Sequence, residues 1–265
     1  MKRWIPFVKS PPVISVVRLS GVIAASNRAG LNDETLAPVL ERAFTKGKPV
    51  AVALALNSPG GSPVQSSLIG ARIQRLSKEK NVPVFAFVED VAASGGYWLA
   101  ASADEIWIDP CSVVGSIGVI SSSFGANTFI ERHGIERRVY TAGTSKSMLD
   151  PFKPERDEDV ARLKTLLDQI HGTFISHVTE RRGARLDANT DLFTGDIWTG
   201  DRAVALGLAD GIGHLVPKMR ERFGDKVKFR PYGMRRGLLQ RFGMNIMAQA
   251  MDGIEERALF ARYGL

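Results

Sequence analysis

The chain has 265 residues, 44% of them apolar, which is enough to bury a full core and excludes global disorder. Its one cysteine, Cys111, excludes an intrachain disulfide and suits a reducing compartment. The formal net charge of +7 concentrates in Arg132–Arg138, Arg181–Arg185 and Lys218–Arg241 with no nucleic-acid motif beside it, so it reads as a solvated basic surface or as attraction to anionic membrane or acidic partners.

The start, Met1-Lys2-Arg3-Trp4-Ile5-Pro6-Phe7-Val8, has no apolar stretch long enough for a secretory signal or a membrane span, and nothing later supplies one. A cytoplasmic protein is expected, at most peripheral to the inner face of the cell membrane. Val13–Leu19 predicts a first strand. Asn32 or Asp33 caps a helix that carries Leu36, Val39, Leu40, Ala43 and Phe44 on one face. Val50–Leu56 is a continuous apolar strand of the kind buried on both faces, and it runs into Asn57-Ser58-Pro59-Gly60-Gly61-Ser62-Pro63. The helix expected next presents Val64, Leu68, Ala71, Ile73 and Leu76.

Val84–Val88 reads as a strand, after which Ala92-Ala93-Ser94-Gly95-Gly96-Tyr97-Trp98 opens a helix. Glu105–Ile108 and Ile117–Ser121 predict short strands, Phe124–His133 a helix, and Ile135–Tyr140 another strand-like run. From Pro154 to about Arg182 the pattern predicts a long amphipathic helix with Val160, Leu163, Leu167, Ile170, Phe174 and Val178 on its stripe. Phe193–Gly213 is turn-rich, and Arg235–Leu265 is basic and Met-rich with helical spacing, which suits packing on the core or on a neighbouring subunit better than a membrane-surface helix. Alternating strands and helices of this kind predict a mostly parallel sheet flanked by helices.

Ser94 lies between pairs of small residues at an expected helix start, where unsatisfied N–H groups and the helix dipole favour negative charge. A serine there is either a helix cap or a nucleophile whose oxyanion the Gly95 N–H stabilises. The Gly60-Gly61 pair is a tight strand-to-helix turn or the source of a second oxyanion donor; no Lys-Ser/Thr follows the glycines, which argues against a phosphate loop. A nucleophilic serine needs a base. His133, His171, His177 and His214 read as surface or packing residues, and a lysine kept neutral by burial serves instead. Lys146 stands among small residues in Thr141–Met148, unlike the lysines of the charged runs.

These pieces in this order, followed by Gly115-Ser116-Ile117-Gly118-Val119-Ile120, Phe193-Thr194-Gly195 and Ala203–Gly213, resemble the signal peptide peptidase A family of the ClpP/crotonase fold superfamily over about residues 12–215. The resemblance implies an α/β fold, a ClpP/crotonase-like repeated ββα spiral with a mostly parallel sheet flanked by helices. It implies a peptidase domain over 1–215 and a basic helical extension over 216–265. It implies a Ser–Lys dyad in which Ser94 is the nucleophile, Lys146 the base, Ser116 the residue that orients the lysine, and Gly95 with Gly60 and Gly61 the oxyanion hole. The expected activity is that of a serine endopeptidase on signal peptides or other short apolar or unfolded peptides, without metal or organic cofactor. Ring-like homo-oligomers are expected, with Lys146 able to act on a neighbour's Ser94, and no nucleic-acid partner. Three rivals remain at this stage: a Ser–His–Asp peptidase of the ClpP type, which lacks a histidine in 95–132, a crotonase-type acyl-CoA enzyme, and a catalytically inactive scaffold or membrane-associated assembly protein.

Overall fold

The computed structural model of the chain describes residues 11–25, 30–233 and 259–264. Its first half runs β1 (Val13–Ser20), α1 (Asp33–Thr45), β2 (Ala51–Ser58), α2 (Pro63–Lys80), β3 (Val84–Ala93), α3 (Gly95–Ala101), β4 (Glu105–Ile108) and β5 (Val113–Gly115). The second half runs α4 (Asn127–Arg132), α5 (Asp157–Arg182), β6 (Ile197–Thr199), α6 (Gly200–Ala205), β7 (Gly211–Ile212), α7 (Leu215–Phe223) and β8 (Lys228–Tyr232). The strands join one sheet in the order β6-β5-β3-β2-β1-β8, with β4 beside β3 and β7 beside β4. Every pairing is parallel except β5 with β6, as the alternation of strands and helices predicts.

The apolar run of β2 is explained by cover on both faces. Val52, Leu54 and Leu56 enter the large core with Leu36, Leu40 and Ile73 of the helices. Ala51 and Ala53 face the other way, into a smaller core with Phe85, Phe87 and Met219 of α7. Asn32 caps α1 by accepting from the Thr35 N–H at 2.9 Å, and all five predicted core residues of that helix are buried. Each such aliphatic side chain contributes about 1.5–3 kcal/mol on burial.

α2 buries Ile73 and Leu76 as expected, but its first half turns a different face inward. Val64 and Leu68 are 64% and 46% exposed, while Ser66, Ile69, Gly70, Ile73 and Leu76 are buried. Small residues decide the orientation. A Cβ on Gly70 would stand 2.6 Å from Ser102 Oγ and 3.1 Å from Trp98 Nε1, so α2 lies directly on α3. Two expected strands are absent as well: neither Ile117–Ser121 nor Ile135–Tyr140 is a strand. Val113–Gly115 takes the sheet position instead, between β3 and β6. Gly115 and Ser116, both left-handed in φ, then turn the chain out of the sheet.

The expected boundary at residue 215 falls inside the sheet's own cover, because α7 shields one face and β8 pairs with β1 from Val13↔Lys228 to Val17↔Tyr232. Residues 234–258 of the expected helical extension lie outside the described residues.

β3 places the site. Its first half pairs with β4 and its second half with β5, and between them the register against β2 jumps from Leu56↔Val88 to Ser58↔Ala92. The extra residues bend β3, as a bulge does, and aim its end away from the line of β4. α5 crosses over this end. Only Phe174 and Val178 of its predicted stripe are fully buried; Val160, Leu163 and Leu167 are half-buried, so its first half runs beyond the core. Its last turn is fixed by Arg182, which donates from Nε to the Gly207 carbonyl at 2.8 Å and from a terminal nitrogen to Asp210 at 2.7 Å.

Candidate active site

Ser94 occupies the junction between β3 and α3 with φ 52° and ψ −122°, a conformation that glycine favours and that is sparsely populated by other residues. Two backbone hydrogen bonds hold it there: its N–H donates to the Gly115 carbonyl at 2.8 Å, and its carbonyl accepts from the Trp98 N–H at 3.0 Å. Its side chain makes no capping hydrogen bond, so the cap reading does not describe it. The half-buried hydroxyl lines a cleft of about 330 Å³.

The Pro59-Gly60-Gly61 turn forms the wall beside it. Gly60 has φ +99°, and a Cβ there would stand 2.7 Å from the Ala93 oxygen, 2.7 Å from the Gly95 nitrogen and 2.8 Å from the Ser94 Cβ. Glycine is therefore required by contact as well as by dihedral angle. The Gly60 N–H donates to Ser58 Oγ at 3.2 Å. The N–H groups of Gly61 and Gly95 donate to nothing among the described residues, and both glycines line the cleft. Gly95 is the first residue of α3, where a helix leaves its N–H groups without internal partners.

Ser116, with φ 51°, forms the facing wall; its N–H donates to the Asp196 carbonyl at 2.7 Å. The floor is aromatic. Trp98 stacks on His177 at 4.4 Å between ring centroids and on Phe174 at 5.1 Å. His177 donates from Nε2 to the Trp98 carbonyl at 3.1 Å, and His171 donates from Nε2 to the Ile117 carbonyl at 3.0 Å. Burial holds the His177 imidazole below its usual range, and this outweighs the opposing effect of the Trp98 carbonyl. Both histidines thus clasp α5 to the cleft, and no histidine lines it among the described residues, so a Ser–His–Asp arrangement finds no base there.

Ser94, Gly95, Gly60, Gly61 and Ser116 therefore come together at one cleft, whereas Lys146 is exposed and is not among the residues that line it. Lys146 stands in a turn on the long segment between β5 and α5. That segment exposes Phe124 (92%), Tyr140 (91%) and Ile120 (67%). Sequence reasoning missed the clasp of His171 and His177 and also a contribution from the C-terminus. Leu259, Arg262 and Tyr263 line the cleft, and Phe260 and Tyr263 pack against Val91, Ala93 and Val113. Leu259, Phe260 and Tyr263 are marked in the sequence only by their apolar or aromatic character and Arg262 only by its charge, and nothing local ties them to Ser94.

Residues 76–222 match peptidase family S49. A Brucella melitensis protein named Na(+)/H(+) antiporter NhaA is 49% identical over 286 aligned residues, which take in 100% of this chain and 39% of that protein. The chain thus spans about two fifths of that relative, whose name describes the larger protein. No helix among the described residues is long and apolar enough to cross a membrane. The probable protease SohB of Haemophilus influenzae is 30% identical over 90% of this chain and 66% of its own length. A solved mutant of the 1510-N membrane-bound stomatin-specific protease superposes with a TM-score of 0.50 at 15% identity, covering 84% of this chain and 98% of that one; it supports the fold. With these matches beside the cleft and its motifs, the chain belongs to peptidase family S49, the signal peptide peptidase A type of serine peptidase.

Proposed function

We propose that the chain is a serine endopeptidase that cuts signal peptides or other short apolar or unfolded peptides with Ser94 as nucleophile and Lys146 as general base. The observation that carries this reading is the strained Ser94 turn, whose uncapped hydroxyl shares the cleft with the Gly61 and Gly95 N–H groups, which donate to nothing among the described residues. The neutral amine of Lys146 takes the Ser94 proton as Oγ attacks the peptide carbonyl. The oxyanion forms against Gly61 and Gly95, each such donor being worth about 2.7–4 kcal/mol in enzymes of this type. The lysine ammonium then protonates the departing amine, and water hydrolyses the acyl-enzyme. Ser116 orients the lysine. An apolar floor of Trp98, Phe174 and Ile170 favours apolar side chains over charged ones.

The exposed apolar side chains around Lys146 support association with further copies of the chain in a ring, in which the segment docks on a neighbour and carries Lys146 to a Ser94. The test is hydrolysis of an unfolded apolar protein by the wild type, Ser94→Ala and Lys146→Ala at several pH values. Loss in both variants supports the dyad, and three equal rates refute it. Recovery of activity on mixing the two dead variants, after dissociation and reassembly, places the dyad across two copies; without recovery it lies within one.

A further inference from the structure

The cleft is built almost entirely from uncharged groups: glycines, prolines, hydroxyls and the apolar side chains of Trp98, Ile170 and Phe174. Arg262 is the one charged residue that lines it among the described residues. It makes no hydrogen bond or ion pair with the described residues. The turn that carries it is anchored on both sides. Phe260 and Tyr263 pack against Val91, Ala93 and Val113, the strand residues that lead into and flank the Ser94 turn. The Tyr263 N–H donates to the Phe260 carbonyl at 2.9 Å and the Gly264 N–H to the Ala261 carbonyl at 3.1 Å, while the Tyr263 hydroxyl donates to Ser116 Oγ at 3.5 Å. Arg262 is exposed, and it lines the same cleft as Ser94.

We infer that Arg262 is a specificity-determining residue that captures a carboxylate of the peptide next to the scissile bond, so that the preferred substrates are apolar peptides carrying one negative charge near the cut. This rests on the reading of the cleft as a peptide-cleaving site and names its substrate class more closely. A guanidinium matches a carboxylate with two parallel N–H donors, and no other charged residue lines the cleft among the described residues. The carboxylate has two sources, the C-terminus of a short peptide or an Asp or Glu side chain, and the recognition chemistry is the same for both.

Binding separates this inference from the catalytic reading. Fluorescent apolar peptides are titrated onto the Ser94→Ala protein in two matched pairs: a free C-terminal acid against its amide, and an internal Glu against Gln. Ser94→Ala binds whether or not the wild type hydrolyses, so a failure of peptidase activity leaves the measurement intact. The expected result is about tenfold tighter binding of the carboxylate member of at least one pair, the size of a charge-assisted hydrogen bond at a half-open site. The pair that discriminates identifies the source of the carboxylate. Adding Arg262→Gln brings the ratio to within about twofold, Arg262→Lys recovers part of it, and about 1 M salt reduces it because the Debye length falls to about 3 Å. Equal affinities within both pairs, or a preference that survives Arg262→Gln, overturn the inference even where the wild type cuts peptides.

Discussion

Replacing Gly60 by alanine separates the two demands that the Ser94 turn makes on its neighbour. The first is conformational: at φ +99° a side chain costs about 1–2 kcal/mol. The second is contact, because the new Cβ would sit 2.7–2.8 Å from the Ala93 oxygen, the Gly95 nitrogen and the Ser94 Cβ, all backbone or first side-chain atoms that cannot rotate away. Gly224, at φ +91° with nothing within 4 Å of its Cβ, supplies a control with the same strain and no contact. Gly224→Ala is expected to lower the melting temperature by about 2–8 °C, at about 2–4 °C per kcal/mol for a domain of this size, and to leave kcat/KM unchanged. Gly60→Ala shows that strain and, in addition, pushes Ser94 and the Gly95 N–H apart by several tenths of an ångström. A misplacement approaching 1 Å costs about a hundredfold in rate, and loss of the oxyanion donor raises this toward a thousandfold. The assay is kcat/KM on a quenched peptide beside thermal unfolding of all three proteins. Gly60→Ala activity within about threefold of Gly224→Ala, at matched folded fractions, would refute the reasoning, since a displaced nucleophile cannot retain that rate.

Ser94→Gly abolishes hydrolysis yet raises the melting temperature by about 2–4 °C, because it relieves roughly 1 kcal/mol of the strain that serine bears in a glycine conformation; unfolding followed by light scattering or fluorescence checks it. Arg182→Met leaves Asp210 without its nearest cation and costs about 3 kcal/mol, or about 6–12 °C, with Arg185 at 3.2 Å softening the loss. Burial raises the Asp210 carboxyl, but hydrogen bonding and charge from Arg182 overcome this and hold it below the usual range. Its contribution is therefore present above about pH 4 and disappears as pH falls, so the gap between wild type and Arg182→Met narrows below that value in an acid-unfolding series. His177 is depressed by burial, which gives stability that is complete above about pH 6.5 and falls as acid charges the ring; His177→Phe flattens that slope below about pH 6.5.

The sequence carries the centre of the fold because β1, β2 and α1 write their burial in apolar side chains, and Asn32 writes its cap. It fails in the first half of α2, where the inward face is chosen by the absence of a side chain at Gly70 and the smallness of Ser66, which apolar counting does not register. Ile117–Ser121 and Ile135–Tyr140 have strand composition, but a strand needs a neighbour, and the chain offers none after Ser116 turns out of the sheet. The same contrast runs through the site. Ser94, Gly60 and Gly61 were legible because small residues cluster at a strand end, although only the Gly60 N–H bond to Ser58 shows that Gly61 is the freer donor. Lys146, singled out by its small-residue neighbours and by the resemblance, is exposed and does not line the cleft. The turn at Leu259–Gly264 reaches the cleft through tertiary packing across the whole length of the chain, and no local pattern announces that.

The most direct test of the central claim is covalent labelling by a fluorophosphonate, read by intact mass and peptide mapping on the wild type, Ser94→Ala and Lys146→Ala. The account predicts a single adduct on Ser94 in the wild type, none in Ser94→Ala, and labelling slowed by about a hundredfold or more in Lys146→Ala, the scale of a general base. An adduct on another residue, or wild-type labelling in Ser94→Ala, would contradict it.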